Sequence, residues 1–123
     1  MYKHDFKIKR GETFSKDITF KADEEIYDLS GYTAKAQIRP SVESETLLQD
    51  ITCEVYPEEG KVTLQLTPQQ TYTIPAGSYY YDLCLTKDEV NTYFLEGRFI
   101  ISKFVTEPPN VEDNADTNDS EQP

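Results

Sequence analysis

Apolar residues return at every second position along most of this chain, and that periodicity constrains the fold more than any other feature. "YTAKAQIR" puts Tyr32, Ala34, Ala36 and Ile38 on one side and Thr33, Lys35, Gln37 and Arg39 on the other. "KVTLQL" sets Val62, Leu64 and Leu66 against Thr63 and Gln65, and "DITCEV" sets Ile51, Cys53 and Val55 against Thr52 and Glu54. "TFSKDITF" aligns Phe14, Ile18 and Phe20, with Lys16 the odd member. Phe6 and Ile8 alternate with lysines near the start, and Tyr93, Leu95, Gly97, Phe99 and Ile101 alternate with Glu96 and Arg98 near the end. Neighbouring side chains of a strand point to opposite faces, so these runs read as half-buried strands. Helical spacing is almost absent. "SVESETLLQ" is the one stretch that could hold a helical turn, with Ser41 or Ser44 as its cap.

Turn signals separate the runs: "KRGE", "KADEE", "DLSG", "RPSVESE", "YPEEG", "TPQQTYTIPAG" and "TKDEVN". Short turns of this kind leave no room for the crossover that a parallel strand pair needs. The prediction is an all-β chain, a seven-stranded antiparallel immunoglobulin-like β-sandwich over residues 1–106, with a small closed barrel as the alternative.

The stretch "IPAGSYYYDLCL" holds three successive tyrosines. Strand parity sends Tyr79, Tyr81, Leu83 and Leu85 to the core face and Tyr80, Asp82 and Cys84 to the other. Tyr79, just after a compact turn and Gly77, is either a plain core tyrosine or a corner tyrosine bonded back to the turn. The same parity puts Cys53 and Cys84 on opposite faces, so two free thiols are expected.

Charge narrows the function. The chain has 123 residues and a formal charge of −11, with 23 acids against 12 bases. Residues 107–123 carry six of those acids and no base, which leaves 17 acids against 12 bases, a net of −5, for residues 1–106. The 107–123 segment has almost nothing to bury and is expected to be a disordered acidic tail. A phosphate-binding face needs clustered Lys and Arg, so neither nucleic acid nor an anionic membrane is an expected partner. No apolar run is long enough to cross a membrane as a helix, and "MYKHDFKIKRGE" lacks the apolar core of a signal peptide.

No catalytic constellation emerges. His4 is the single histidine and reads as a surface residue, with no serine or cysteine arrangement to complete a triad. The acidic turn "ADEEIYD" lacks calcium-loop spacing. The expectation is a non-enzyme with no cofactor and no metal.

Four stretches in order carry a resemblance. "RGETFSKDITF" is an Arg-Gly-acid opening before a strand, and "YDLSGYTAKAQIR" is a short turn into a strand ending in Ile-Arg. "GKVTLQLTPQQTYTIPAGSYYYDLCL" joins a strand, a Thr-rich corner and Tyr-x-Tyr-Asp-Leu, and "YFLEGRFIISKFVT" is a Leu-Glu-Gly-Arg strand. Over residues 6–106 this series resembles small structural proteins of tailed bacteriophages and the N-terminal domain of phage baseplate upper proteins. The resemblance implies a virion building or adaptor module, made in the host bacterial cytoplasm, with other virion proteins or a second copy as partners. It transfers no catalytic residue; baseplate proteins continue into long receptor-side domains, whereas these 123 residues run into the expected acidic tail. The first and last strands are the expected free edges, with Lys7, Lys9, Arg10, Tyr80 and Arg98 as the expected contact residues. The alternative is a module that binds carbohydrate or another host-surface ligand through exposed rings such as Tyr27, Tyr56, Tyr72 or Tyr80. A third reading, an acidic decoy of nucleic acid, would need denser acids than a net of −5 provides.

Overall fold

The computed structural model describes residues 2–112. Its strands are β1 (Tyr2–Lys3), β2 (Phe6–Lys9), β3 (Phe14–Thr19), β4 (Lys21–Ala22), β5 (Glu25–Ile26), β6 (Thr33–Arg39), β7 (Gln49–Tyr56), β8 (Lys61–Leu66), β9 (Gly77–Lys87) and β10 (Val90–Ser102). A short helix, α1 (Pro68–Thr73), lies between β8 and β9. The chain is all-β, an immunoglobulin-like sandwich made by curling one hydrogen-bonded path into two layers. The path runs β1-β10-β9-β6-β7-β8-β3, with β2 also on β10 and β4–β5 as a separate hairpin.

The fold turns on β7. Its first residues, Gln49 to Ile51, pair with β6, and Thr52 to Tyr56 pair with β8. One strand therefore passes from the larger layer (β2, β10, β9, β6) to the smaller (β8, β3). The split into a β3-β8-β7 layer and a β6-β9-β10 layer matches the two-sheet arrangement of immunoglobulin constant-type domains. Between the layers, Val62, Leu64 and Leu66 of β8 meet Ile38 of β6 and Leu83 and Leu85 of β9, all but fully buried. Phe6, Phe14 and Phe99 pack edge to face, with centroids 5.1 to 6.0 Å apart, and Tyr81 joins them. Four strands are stapled through these rings, in the geometry that the ring quadrupole favours.

The alternating runs become strands, with three differences. First, β2 runs parallel to β10, not antiparallel. The short-turn argument binds only strands adjacent in sequence. β2 and β10 are at opposite ends of the chain, so the whole domain is their crossover. Second, β10 is not an edge: it lies between β9 on one side and β1 and β2 on the other, and the free edges are β1, β2 and β3. Third, the helical turn is not in "SVESETLLQ" but in "TPQQTYT". Thr67 accepts from the Gln70 backbone N–H while the Gln70 side chain accepts from the Thr67 N–H, a capping box, with Pro68 in the first turn.

The packed chain runs past residue 106. The ring of Pro108 lies where a side chain on Gly11 would stand, and Gly11 has φ +87°. The Gln69 side-chain amide donates to the Glu112 carbonyl (2.8 Å) and accepts from the Glu112 N–H (2.7 Å). The rest of the expected tail, residues 113–123, lies outside the described residues.

Candidate docking face and groove

The outer face of the larger layer is built by parity. β9 turns Tyr81, Leu83 and Leu85 inward, all buried, and turns Tyr80 and Asp82 outward. The register then sets rows across the strands. Arg98 of β10, Tyr80 of β9 and Arg39 of β6 stand side by side. The next row is Glu96, Asp82, Gln37 and, on β7, Asp50. On the β2 side, Lys7 lies opposite Ile100 and Lys9 opposite Ser102.

Four of the five expected contact residues, Lys7, Lys9, Tyr80 and Arg98, therefore share this face. The fifth does not. The Arg10 guanidinium lies 4.5 Å from the centroid of the Tyr72 ring, and its Nε donates to the Tyr72 carbonyl (2.6 Å). Tyr72 in turn stacks on Phe104. Arg10 clamps α1 to the C-terminal segment at the end of the sandwich.

The crossing from β1 to β2 shapes the face locally. The His4 carbonyl turns inward and accepts from the Tyr81 hydroxyl (2.6 Å). Gly97 makes room, since a Cβ there would strike that carbonyl. With main-chain pairing interrupted, the Asp5 carboxylate accepts from the Arg98 N–H (2.9 Å) and lies 3.4 Å from its guanidinium. That N–H, helped by the nearby guanidinium, holds the Asp5 carboxyl below its ordinary range. Asp82 is pushed the other way: partial desolvation raises it, and Glu96 opposite adds repulsion. Burial also raises the Tyr81 hydroxyl.

These residues line an open groove of about 350 Å³, with Lys3, Asp5, Arg39, Tyr80, Asp82 and Glu96 around it. Of its charges, Lys3 lies 4.0 Å from Glu96 and Arg98 pairs with Asp5. Arg39 donates to the Gln37 side chain (2.8 Å) and to the Glu45 carbonyl (2.9 Å).

The remaining candidates are scattered. Tyr79 is the corner tyrosine, its hydroxyl donating to the Pro75 carbonyl (2.5 Å). Tyr27 and Tyr32 share a hydroxyl contact at the opposite end of the sandwich (3.2 Å), and Tyr56 donates to Glu54 (2.8 Å). His4 is exposed, with its ring against Phe6. The acidic turn closes the β4–β5 hairpin. Both thiols are free and half-buried, and burial pushes Cys53 up to about 11. Among the described residues no three His, Cys, Asp or Glu side chains stand together as metal ligands would. Parity in the sequence already puts Asp82 on the side of Tyr80, but neither Asp82 nor Arg39 is among the expected contact residues. Arg39 closes an alternating run on its polar side, and only the strand register brings it beside Tyr80.

No family model and no curated protein matches this sequence. Among solved structures, a similar one is the extracellular fragment, including the stalk region, of novel immune-type receptor 11 from Ictalurus punctatus. It is 11% identical, with a TM-score of 0.43 over 89% of this chain and 92% of that one. The immunoglobulin-like description used here comes from the strand order and register of this chain itself.

Proposed function

We propose that this chain is a non-enzymatic docking module of a tailed-phage particle, held by protein contacts made with the outer face of its larger layer. One observation carries the reading. In a chain of net charge −11, Lys7 and Lys9 stand exposed beside the Arg98–Tyr80 row, and neither has an ion-pair partner among the described residues. A basic corner on an acidic module orients its approach to an acidic neighbour and disfavours wrong partners.

The β2 edge is unsuited to indiscriminate strand addition. The Lys9 N–H donates to the Glu12 carboxylate (2.8 Å), and the Lys9 carbonyl accepts from the Glu12 N–H (3.0 Å). Lysines and a closed end are how natural sheets protect an edge. The contact expected of this module is therefore face-on, through side chains.

The test is quantitation of the chain in purified particles, with wild type and the Lys7→Glu/Lys9→Glu double variant compared. A fixed copy number per particle for the wild type, sharply reduced by the double reversal, supports the reading. Absence of the wild-type chain from particles, or unchanged incorporation of a folded double variant, rejects it.

A further inference from the structure

Tyr80 is an aromatic surface without a partner. It is 38% exposed and lies between two arginines, yet neither stacks on it. Arg98 is drawn away to Asp5, and Arg39 to Gln37 and the Glu45 carbonyl. Guanidinium groups readily lie over aromatic rings, so their diversion leaves the Tyr80 ring free for something else. Among the described residues Tyr80 makes no aromatic pair either.

Of the polar groups around it, one is unspent. Asp82 has no hydrogen-bond partner among the described residues, although it is desolvated enough to raise its carboxyl. A partly desolvated acceptor of this kind gains from a donor brought by a ligand. Gln37, bonded to Asp50 (2.9 Å) and Arg39 (2.8 Å), and Arg39, bonded to Gln37 and the Glu45 carbonyl, each keep further N–H groups, and Glu96 adds acceptors in the same rows. The charges are matched in pairs: Lys3 lies near Glu96, Asp5 is paired with Arg98 just outside the groove, and Arg39 offsets the charge of Asp82. A charged ligand therefore finds no unmatched charge to pair with, while a ligand rich in hydroxyls finds donors and acceptors interleaved. The groove, about 350 Å³, is at the small end of the range of about 300–1,000 Å³ usual for ligand sites.

We propose that this groove binds a neutral pyranose, one sugar ring lying against Tyr80 with its hydroxyls shared among Asp82, Gln37, Glu96 and Arg39. The apolar face of the sugar presents polarised C–H groups to the electron-rich face of the phenol ring. Asp82, an acceptor only when ionised, takes hydroxyl donors, and Arg39 donates. The fit is to a neutral sugar, not to an acidic or amino one, because the surrounding charges already have partners. The groove shares its face with the docking surface, yet the two are tested apart: absence of the chain from particles would leave sugar binding standing, and absence of sugar binding would leave docking standing.

The experiment is an amide-resolved NMR titration of the full chain with D-glucose, D-galactose, N-acetyl-D-glucosamine and L-rhamnose, then with N-acetylneuraminate and D-glucosamine. At least one neutral sugar is expected to give saturable shifts, in the millimolar range, centred on Tyr80, Asp82 and Gln37. Tyr80→Ala should weaken it about tenfold or more, and Asp82→Asn, which keeps the shape of the side chain, should weaken it measurably. Lys21→Ala, on the exposed β4–β5 hairpin, should change nothing. Failure of all four neutral sugars to give saturable shifts overturns the proposal. So does binding unaffected by Tyr80→Ala in a folded protein, or tighter binding of either charged sugar than of every neutral one.

Discussion

Three neighbouring tyrosines in β9 have three different fates, set by parity and by what each hydroxyl can reach. Tyr79 ties the strand to the turn before it, and Tyr80 faces outward. Tyr81 fills the core and reaches the His4 carbonyl across the sheet. Tyr81→Phe keeps the packing but leaves that carbonyl without its donor. The expected cost is about 1 kcal/mol, read as a lower urea midpoint with an unchanged slope. Asp82 gives a pH-dependent prediction. Its folded carboxyl is raised above the ordinary value of 3.8, so the folded state holds that proton more tightly than the unfolded chain does. Ionised Asp82 therefore opposes folding at neutral pH, and the opposition fades as pH falls through the raised value. Asp82→Asn should be the more stable protein at pH 7, with the gap narrowing toward pH 4 in paired denaturation curves. A gap that widens on acidification would contradict the assigned direction.

At the scale of elements, the two hairpins share an unusual device. Asp23 and Glu24 close β4–β5, and Asp88 and Glu89 close β9–β10, all four with φ between +53° and +69°. Two-residue turns with positive φ at both positions match the twist of the strands but suit Asn-Gly far better than Asp-Glu. Glu89→Gly should relieve that strain and raise stability by about 0.5–1 kcal/mol, measured as a higher midpoint of thermal unfolding. These turns also show what was legible. The strands could be read because burial of one face writes a period of two into the residues, and "KADEE" and "TKDEVN" marked their ends. The left-handed geometry could not be read, because Asp-Glu is not a signature of it. The capping box Thr67-x-x-Gln70 was present in the sequence, but the Gly, Pro and Thr around it read as a turn. The parallel place of β2 was out of reach of any local argument. It depends on Phe6 meeting Phe14 and Phe99, a contact between distant parts of the chain.

For the whole molecule, the curled path through β7 leaves one layer closed over the core and one broad face turned outward. Alternation in the sequence already puts Tyr80 and Asp82 on that face, whereas Arg39 joins them only through register. Arg10 left it because Tyr72, brought close by α1, offers both a ring and a carbonyl. The end of the sandwich is finished by the segment that grips Gln69 and covers Gly11. Ending the chain after residue 106 removes that clasp and should cost about 1 kcal/mol, a fall of roughly 4–8 °C in Tm for a domain of this size. An unchanged Tm would mean that the clasp adds nothing to the fold.

The account depends on β9 facing the way its alternation dictates, and nuclear Overhauser contacts of the two tyrosine rings test it most directly. The Tyr80 ring should touch the side chains of Arg98 and Arg39, and the Tyr81 ring those of Phe6 and Phe99. Contacts of Tyr80 with Phe99 or Leu64 instead would shift β9 by one residue, empty the outer face of its groove and contradict the account.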